Sequence, residues 1–131
     1  MFVRPLLLAL SLAAPAAADR YDALRADPQI ASGVLVAALG DLIGDSCPAL
    51  GERRTRSLMM LNSLVGRARA LGYDLGEIRA YVEDDAEKAR VKAQARQWMA
   101  QKGARDADGI CAVARAEIEA GSAIGRLMYV R

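Results

Sequence analysis

Apolar side chains recur at helical spacing along most of the chain, and no segment shows the sustained alternation typical of a strand. One such segment covers residues 108–128, which we predict to form one long C-terminal helix. Its polar positions, Arg115, Glu119, Ser122 and Arg126, share one narrow arc, and apolar residues cover nearly all the rest. Because a helix that is apolar nearly all round belongs inside its domain, we expect other helices to surround this one.

Four further helices precede this segment in the chain, and we predict them from the residues that typically start and stop helices. They span about residues 28–44, 48–71, 74–82 and 84–102. Asp27 followed by Pro28 is typical of an N-cap and a first helical residue, and Asp74 with Glu77 matches a capping box. The sequence therefore predicts an all-α fold, a compact bundle of four to five helices around a buried C-terminal helix.

The second predicted helix has the clearest amphipathic pattern in the chain. Its apolar stripe consists of Leu50, Leu58, Leu61, Leu64, Val65, Ala68 and Leu71. Arg56, Ser63 and Arg67 lie on the opposite side. We expect the stripe to face the core.

Residues 1–18 have the pattern of a secretory signal peptide. Arg4 precedes a short apolar run, and small residues end at Ala18, where we expect cleavage. The apolar run is far shorter than the roughly 20 residues that span a bilayer. We therefore expect residues 19–131 to form a single helical domain that is periplasmic or secreted, without stable membrane insertion.

Composition removes several classes of function. The chain has 18 Lys and Arg against 16 Asp and Glu, which gives no electrostatic case for a nucleic-acid partner. It has no histidine, so the commonest general acid–base and the commonest metal ligand are absent. Since no nucleophile has a base in a recognisable pattern, we expect no catalytic residue, no metal site and no cofactor.

The chain has two cysteines, Cys47 and Cys111, which stand far apart in sequence. In an exported protein an even pair is typical of a disulfide. The bond would join the corner before the second helix to the first turn of the C-terminal helix. A redox or nucleophilic thiol is the alternative, but there is no CxxC motif and no histidine to activate a thiolate.

Glu117 is an acid in the middle of the apolar arc of the C-terminal helix. A buried carboxylate must be paired, protonated or part of a cleft. Our first hypothesis is an ion pair with an arginine such as Arg54 or Arg69. A partly exposed helix edge and a working acid in a pocket are the alternatives.

Two further sets of residues are candidate sites. Gly121 and Gly125 form a small-xxx-small pair, which favours a close helix crossing, with dimerisation as the alternative. Arg53, Arg54 and Arg56 form a basic cluster. A solvated helix face is the default interpretation, and binding of an anionic lipid, glycan or acidic partner is the alternative.

Several segments carry a resemblance to a known family. They are the Cys47-Pro48 corner and segments 61–73, 84–90 and 111–127. With these segments the chain resembles a small family of exported alphaproteobacterial proteins of unknown function, family 5333. The resemblance implies an exported, disulfide-linked, helical protein and adds no catalytic residue.

The leading functional hypothesis is a non-catalytic periplasmic protein that binds or supports an unknown protein partner, as a monomer or weak dimer. The first alternative is a periplasmic stress chaperone, since protonation of its 16 carboxylates in acid would leave the chain strongly cationic. The second alternative is an enzyme that uses Glu117.

Overall fold

The computed structural model describes residues 19–131. The predicted signal peptide lies outside these residues. An aspartate side chain caps the start of four of the six described helices. The helices are α1 (Asp22–Ala26), α2 (Pro28–Ser46), α3 (Arg54–Ala70), α4 (Leu75–Glu83), α5 (Asp85–Gln101) and α6 (Ala107–Ala120). A 3-10 turn (Gly125–Leu127) and two strands, β1 (Leu50–Glu52) and β2 (Met128–Val130), complete the described chain. The all-α class is confirmed, with six helices rather than four to five because α1 precedes α2.

The predicted caps are present where the sequence placed them. The side chain of Asp27 accepts a hydrogen bond from the Ile30 amide at 3.0 Å, with Pro28 as the first residue of α2. Asp74 and Glu77 form a reciprocal capping box at the start of α4. Each bond satisfies a backbone amide that has no partner within its own helix.

Helix α2 occupies the centre of the described fold, which differs from the expectation of a central C-terminal helix. Its buried residues are Ile30, Gly33, Val36, Leu39, Leu42 and Ile43. On α6 the buried positions are Ile110 and Ala114. About half of the apolar residues in segment 108–128 are alanine or glycine, which bury little surface each.

The C-terminal segment also does not continue as one helix. Gly121 has a φ of 63° and ends α6 in the left-handed conformation, which is a common helix stop. The chain then returns through the 3-10 turn into β2, which pairs antiparallel with β1 and sets Leu50 opposite Val130. Because β1 occupies residues 50–52, α3 begins at Arg54 and not near residue 48 as predicted.

The predicted disulfide is confirmed. Cys47 follows the last residue of α2, Cys111 lies near the start of α6, and their Cα atoms are 5.6 Å apart. Cys47 is fully buried in the main apolar cluster, which α2 shares with α5, α6 and the C-terminal segment. The bond therefore fixes the end of the central helix to the last helix of the chain.

A second apolar cluster closes the opposite end of the fold. Tyr21 and Leu24 of the N-terminal segment pack there against Ala68 of α3 and Tyr81 of α4. The rings of Tyr21 and Tyr81 meet edge to face, with centroids 5.1 Å apart. Among helices α1 to α6, none is long and apolar enough to cross a membrane.

Candidate functional site

An apolar groove of about 540 Å³ runs over α2, between α3 on one side and the α4–α5 pair on the other. We call it the α2 groove. Val34, Ala37, Ala38 and Leu42 of α2 form its floor. Its walls are Leu61 and Leu64 from α3 and Tyr81, Val82 and Val91 from α4 and α5.

The ion pairs fix the direction of each helix along the groove. Arg67, near the end of α3, binds Asp27 at the start of α2 at 2.7 Å, so α3 runs antiparallel to α2. Glu87, in the first turn of α5, is bound by Arg25, just before α2. Met99, near the end of α5, lines one small depression together with Leu42 of α2, so α5 runs parallel to α2.

Large apolar side chains on α3 are open to solvent, and one of them, Leu61, lines the groove. Leu58 is 60% exposed, Met59 67% and Leu61 44%. The sequence placed Leu58 and Leu61 on a core-facing stripe, and that expectation is wrong for both. Within residues 19–131, no helix covers this part of α3, and two residues of the stripe, Leu61 and Leu64, form a wall of the groove.

The rim of the groove carries lysines at one end and aspartates at the other. Lys88 and Lys92 lie one turn apart on the first half of α5, and Asp41 and Asp45 lie one turn apart on the last part of α2. Partial desolvation raises the pKa of the Asp41 carboxyl although the residue is exposed, and the charges of Asp45 and Glu52 raise it further. An acidic end and a basic end are therefore distinct.

A buried carboxylate closes the basic end of the groove. Glu87 is 5% exposed and is bound by the guanidinium of Arg25. It also accepts a hydrogen bond at 2.9 Å from Arg90. These two cations hold the pKa of Glu87 below its ordinary value against the effect of burial, with Arg25 the larger cause. The network locks the start of α5 to the residues before α2.

Comparison with known proteins adds a family. A model described as a family of unknown function, DUF5333, matches residues 22–129, a span that contains all six described helices. The chain belongs to this family. No curated protein and no solved structure matches the chain.

In this member of the DUF5333 family, Glu117 lies outside the α2 groove. Its side chain is 16% exposed and binds Lys102 at 3.2 Å. The pair corrects the expected partners, Arg54 and Arg69, because Lys102, just after α5, is the cation that binds Glu117. The Ser122 hydroxyl and the Lys102 ammonium lower the pKa of Glu117, against the effect of burial.

The glycine pair does not form a helix crossing. Gly121 is the left-handed end of α6, and Gly125 lies in the 3-10 turn that folds back onto it. A Cβ on Gly125 would overlap the backbone carbonyl of Glu117. Glycine is therefore needed at both positions because the chain reverses direction tightly after α6. The predicted role in helix–helix packing is wrong.

The basic cluster on α3 is exposed and makes local contacts. The guanidinium of Arg53 lies 5.6 Å from the centre of the Tyr129 ring. Arg56 donates a hydrogen bond at 2.9 Å to the carbonyl of Arg126. Arg54 is exposed beside them. Two of the three arginines thus hold the C-terminal segment against α3 and do not converge on a common point.

A second depression, of about 550 Å³, lies on the outer side of α5. It is lined by Arg96, Gln97, Ala100, Gln101 and Arg105. Long polar side chains that are mostly exposed form this surface. It offers neither an apolar floor nor a buried polar group, which leaves the α2 groove as the better candidate.

Proposed function

We propose that the chain is an exported, non-catalytic protein that binds a polypeptide partner in the α2 groove. One observation carries the proposal: α3 exposes Leu61 in the wall of the groove, and Leu58 about one turn before it, beside an apolar floor. Exposed apolar surface of this kind is costly in water and marks interaction sites. The volume of the groove is also within the range of ordinary binding sites.

The charged groups near the groove support binding more than catalysis. Glu87 is buried but neutralised by Arg25 and Arg90, so it has no spare lone pair facing a substrate. Glu117 is paired with Lys102 away from the groove. An enzyme that uses Glu117 would need this pair to open, which makes that alternative the weaker one.

The disulfide supports the exported location, since such bonds persist in oxidising compartments. It also supports residues 19–131 as one folded unit, because it joins the end of α2 to α6 across 64 positions of sequence. Monomer or weak dimer remains our expectation for the oligomeric state.

A photoreactive residue in the groove tests the proposal. We would place p-benzoylphenylalanine at Leu61 and, as the matched control, at Leu75, which is 56% exposed on α4 outside the groove. We expect a discrete cross-linked protein from Leu61 and none from Leu75 after irradiation of producing cells. Identical products from both positions, or none from Leu61, would contradict the proposal.

A second candidate is an acid-activated chaperone, favoured by the position of the Glu87 network at one end of the groove. Arg25 binds Glu87 from the α1 side and also pairs with Asp19 and Asp22, while Tyr81 of α4 and Arg90 of α5 face Glu87 from the other side. Protonation of Glu87 would remove the charge that both arginines bind. An increase in binding of a hydrophobic dye between about pH 7 and about pH 3, with helical structure retained, would support this candidate.

A further inference from the structure

We propose that the α2 groove binds an amphipathic helix of a partner protein in one direction, with an acidic N-terminal turn beside Lys88 and Lys92 and a basic C-terminal turn beside Asp41 and Asp45. The inference rests on the proposed function and adds the chemistry and polarity of the ligand. It draws on three features of the groove: the position of its helices, the size of its floor residues and the order of its charges.

Three of the four helices that line the groove, α2, α3 and α5, run along it and leave a place open for one more, while α4 contributes Tyr81 and Val82 beside that place. The antiparallel α3 and the parallel α5 flank α2, and the groove lies between them. A helix laid along it would contact Leu61 and Leu64 on one side and Val91 on the other. The result is the four-helix arrangement in which each helix packs on two neighbours.

The floor of the groove permits close approach of a helix. Ala37 and Ala38 lie side by side on it, between Val34 and Leu42. Small residues at a contact allow two helix axes to come within about 8–10 Å of each other. From Val34 to Asp45 the floor is about 16 Å long, which matches a guest helix of about 12 residues.

Charge complementarity sets the direction of the guest helix. Because α5 runs parallel to α2, Lys88 and Lys92 lie near the end where α2 begins, and Asp41 and Asp45 lie near the end where it finishes. Glu87 does not cancel the lysines, since two arginines already bind it. Acidic residues favour helix N-termini and basic residues favour C-termini, so a guest that runs parallel to α2 satisfies both its own dipole and the rim.

The other occupants fit this charge order less well. Residues 1–18 contain no acidic residue and one basic residue, so they lack the acidic end that Lys88 and Lys92 call for. In a second copy of the chain, α5 has acidic residues in its first turn, but its apolar side, with Val91, Ala95 and Met99, is already buried in its own fold.

Two synthetic peptides of equal composition test the proposal on the full chain with its disulfide oxidised. Both carry the same Leu/Ala stripe and a hydrocarbon staple on the outer face, so that both are helical. One has glutamates in its first turn and lysines in its last turn, and the other has the reverse. We expect fluorescence anisotropy to show at least tenfold tighter binding of the first peptide, with a difference that shrinks as salt is added.

Surface variants assign the effect to the groove. Leu61→Lys should weaken binding at least tenfold, whereas Leu75→Lys, at a somewhat more exposed apolar site elsewhere, should not. Combining Lys88→Glu and Lys92→Glu with Asp41→Lys and Asp45→Lys should reverse the preference between the peptides. All these positions are exposed, and circular dichroism checks that each variant remains folded.

Three results would overturn the inference. Equal binding of the two peptides, unchanged by the four charge reversals, would show that the groove has no polarity. Absence of binding to either peptide would exclude a helix as the ligand, while a cross-link from Leu61 would still support the proposed function. Self-association of the chain that Leu61→Lys abolishes would show that a second copy occupies the groove.

Discussion

Gly33 of α2 and Leu64 of α3 lie so close that a Cβ on Gly33 would stand 2.5 Å from Cδ2 of Leu64. The two helices therefore approach each other closely where Leu64 also forms a wall of the α2 groove. The packing of α2 on α3 and the shape of the groove depend on the same side chain.

Gly33→Ala should change the groove more than it changes stability. Alanine is favoured over glycine inside a helix by up to about 1 kcal/mol, but the new methyl group must displace the flexible end of Leu64 toward the groove. We expect the free energy of unfolding in urea to change by less than about 1 kcal/mol. Affinity for the acidic-to-basic peptide should fall several-fold.

Gly44→Ala is the matched control for this substitution. Gly44 lies in the same helix and is exposed, and a Cβ added to it would have no neighbouring atom within 4 Å. It should gain the helix-propensity contribution alone and leave peptide binding unchanged. If both variants weaken peptide binding equally, displacement of Leu64 is not the cause of the weaker binding.

Loss of the disulfide should lower stability substantially. Closing a loop between positions 64 residues apart reduces the entropy of the unfolded chain by an amount worth about 4 kcal/mol. We expect the Cys47→Ala, Cys111→Ala variant to unfold at lower urea concentration than the oxidised protein. Reductant should destabilise the wild type and leave the double variant unchanged; two thiols that alkylate without reduction would contradict the bond.

The features that the sequence predicted correctly are those set by neighbouring residues or by simple counting. Asp27 with Pro28 and Asp74 with Glu77 act within a few positions of each other, so their pattern is sufficient. The pairing of Cys47 with Cys111 follows from there being two cysteines. The sequence does not predict the two strands, because three residues in each are too few to show an alternation of apolar and polar side chains.

The groove and the buried network depend on tertiary contacts that the pattern does not contain. The stripe on α3 shows which side of the helix is apolar, but not that Leu58 and Leu61 lack a covering helix. For Glu87, Arg90 was visible three positions later, but Arg25 is 62 positions away. Gly121 looked like a small residue inside a helix because only its backbone conformation shows that it ends one.

The two C-terminal glycines should respond to alanine for different reasons. At Gly125 a methyl group would overlap backbone atoms of Glu117, which cannot yield as a side chain can. Overpacking of this kind costs about 1–3 kcal/mol. Gly121→Ala places alanine at a φ of 63°, which costs roughly 1–2 kcal/mol.

Gly66→Ala provides the comparison for both glycines. Gly66 lies in α3 and its Cβ position is open, so thermal unfolding should show no loss and a small gain. A Gly125→Ala protein as stable as Gly66→Ala would mean that the reversal after α6 is not tightly packed.

Acid should weaken the fold through Glu87. Its pKa is lowered in the folded protein from the ordinary 4.5, so its contribution is fully present above the unfolded value and is lost as the pH falls through the folded one. We expect the wild type to lose stability between about pH 5 and about pH 3. Glu87→Gln should unfold about 1–3 kcal/mol more easily at pH 7 and lose less over that interval. Glu119→Gln, on an exposed part of α6, should retain the wild-type slope; a Glu87→Gln protein with that same slope would show that the Arg25 and Arg90 contacts do not govern the acid response.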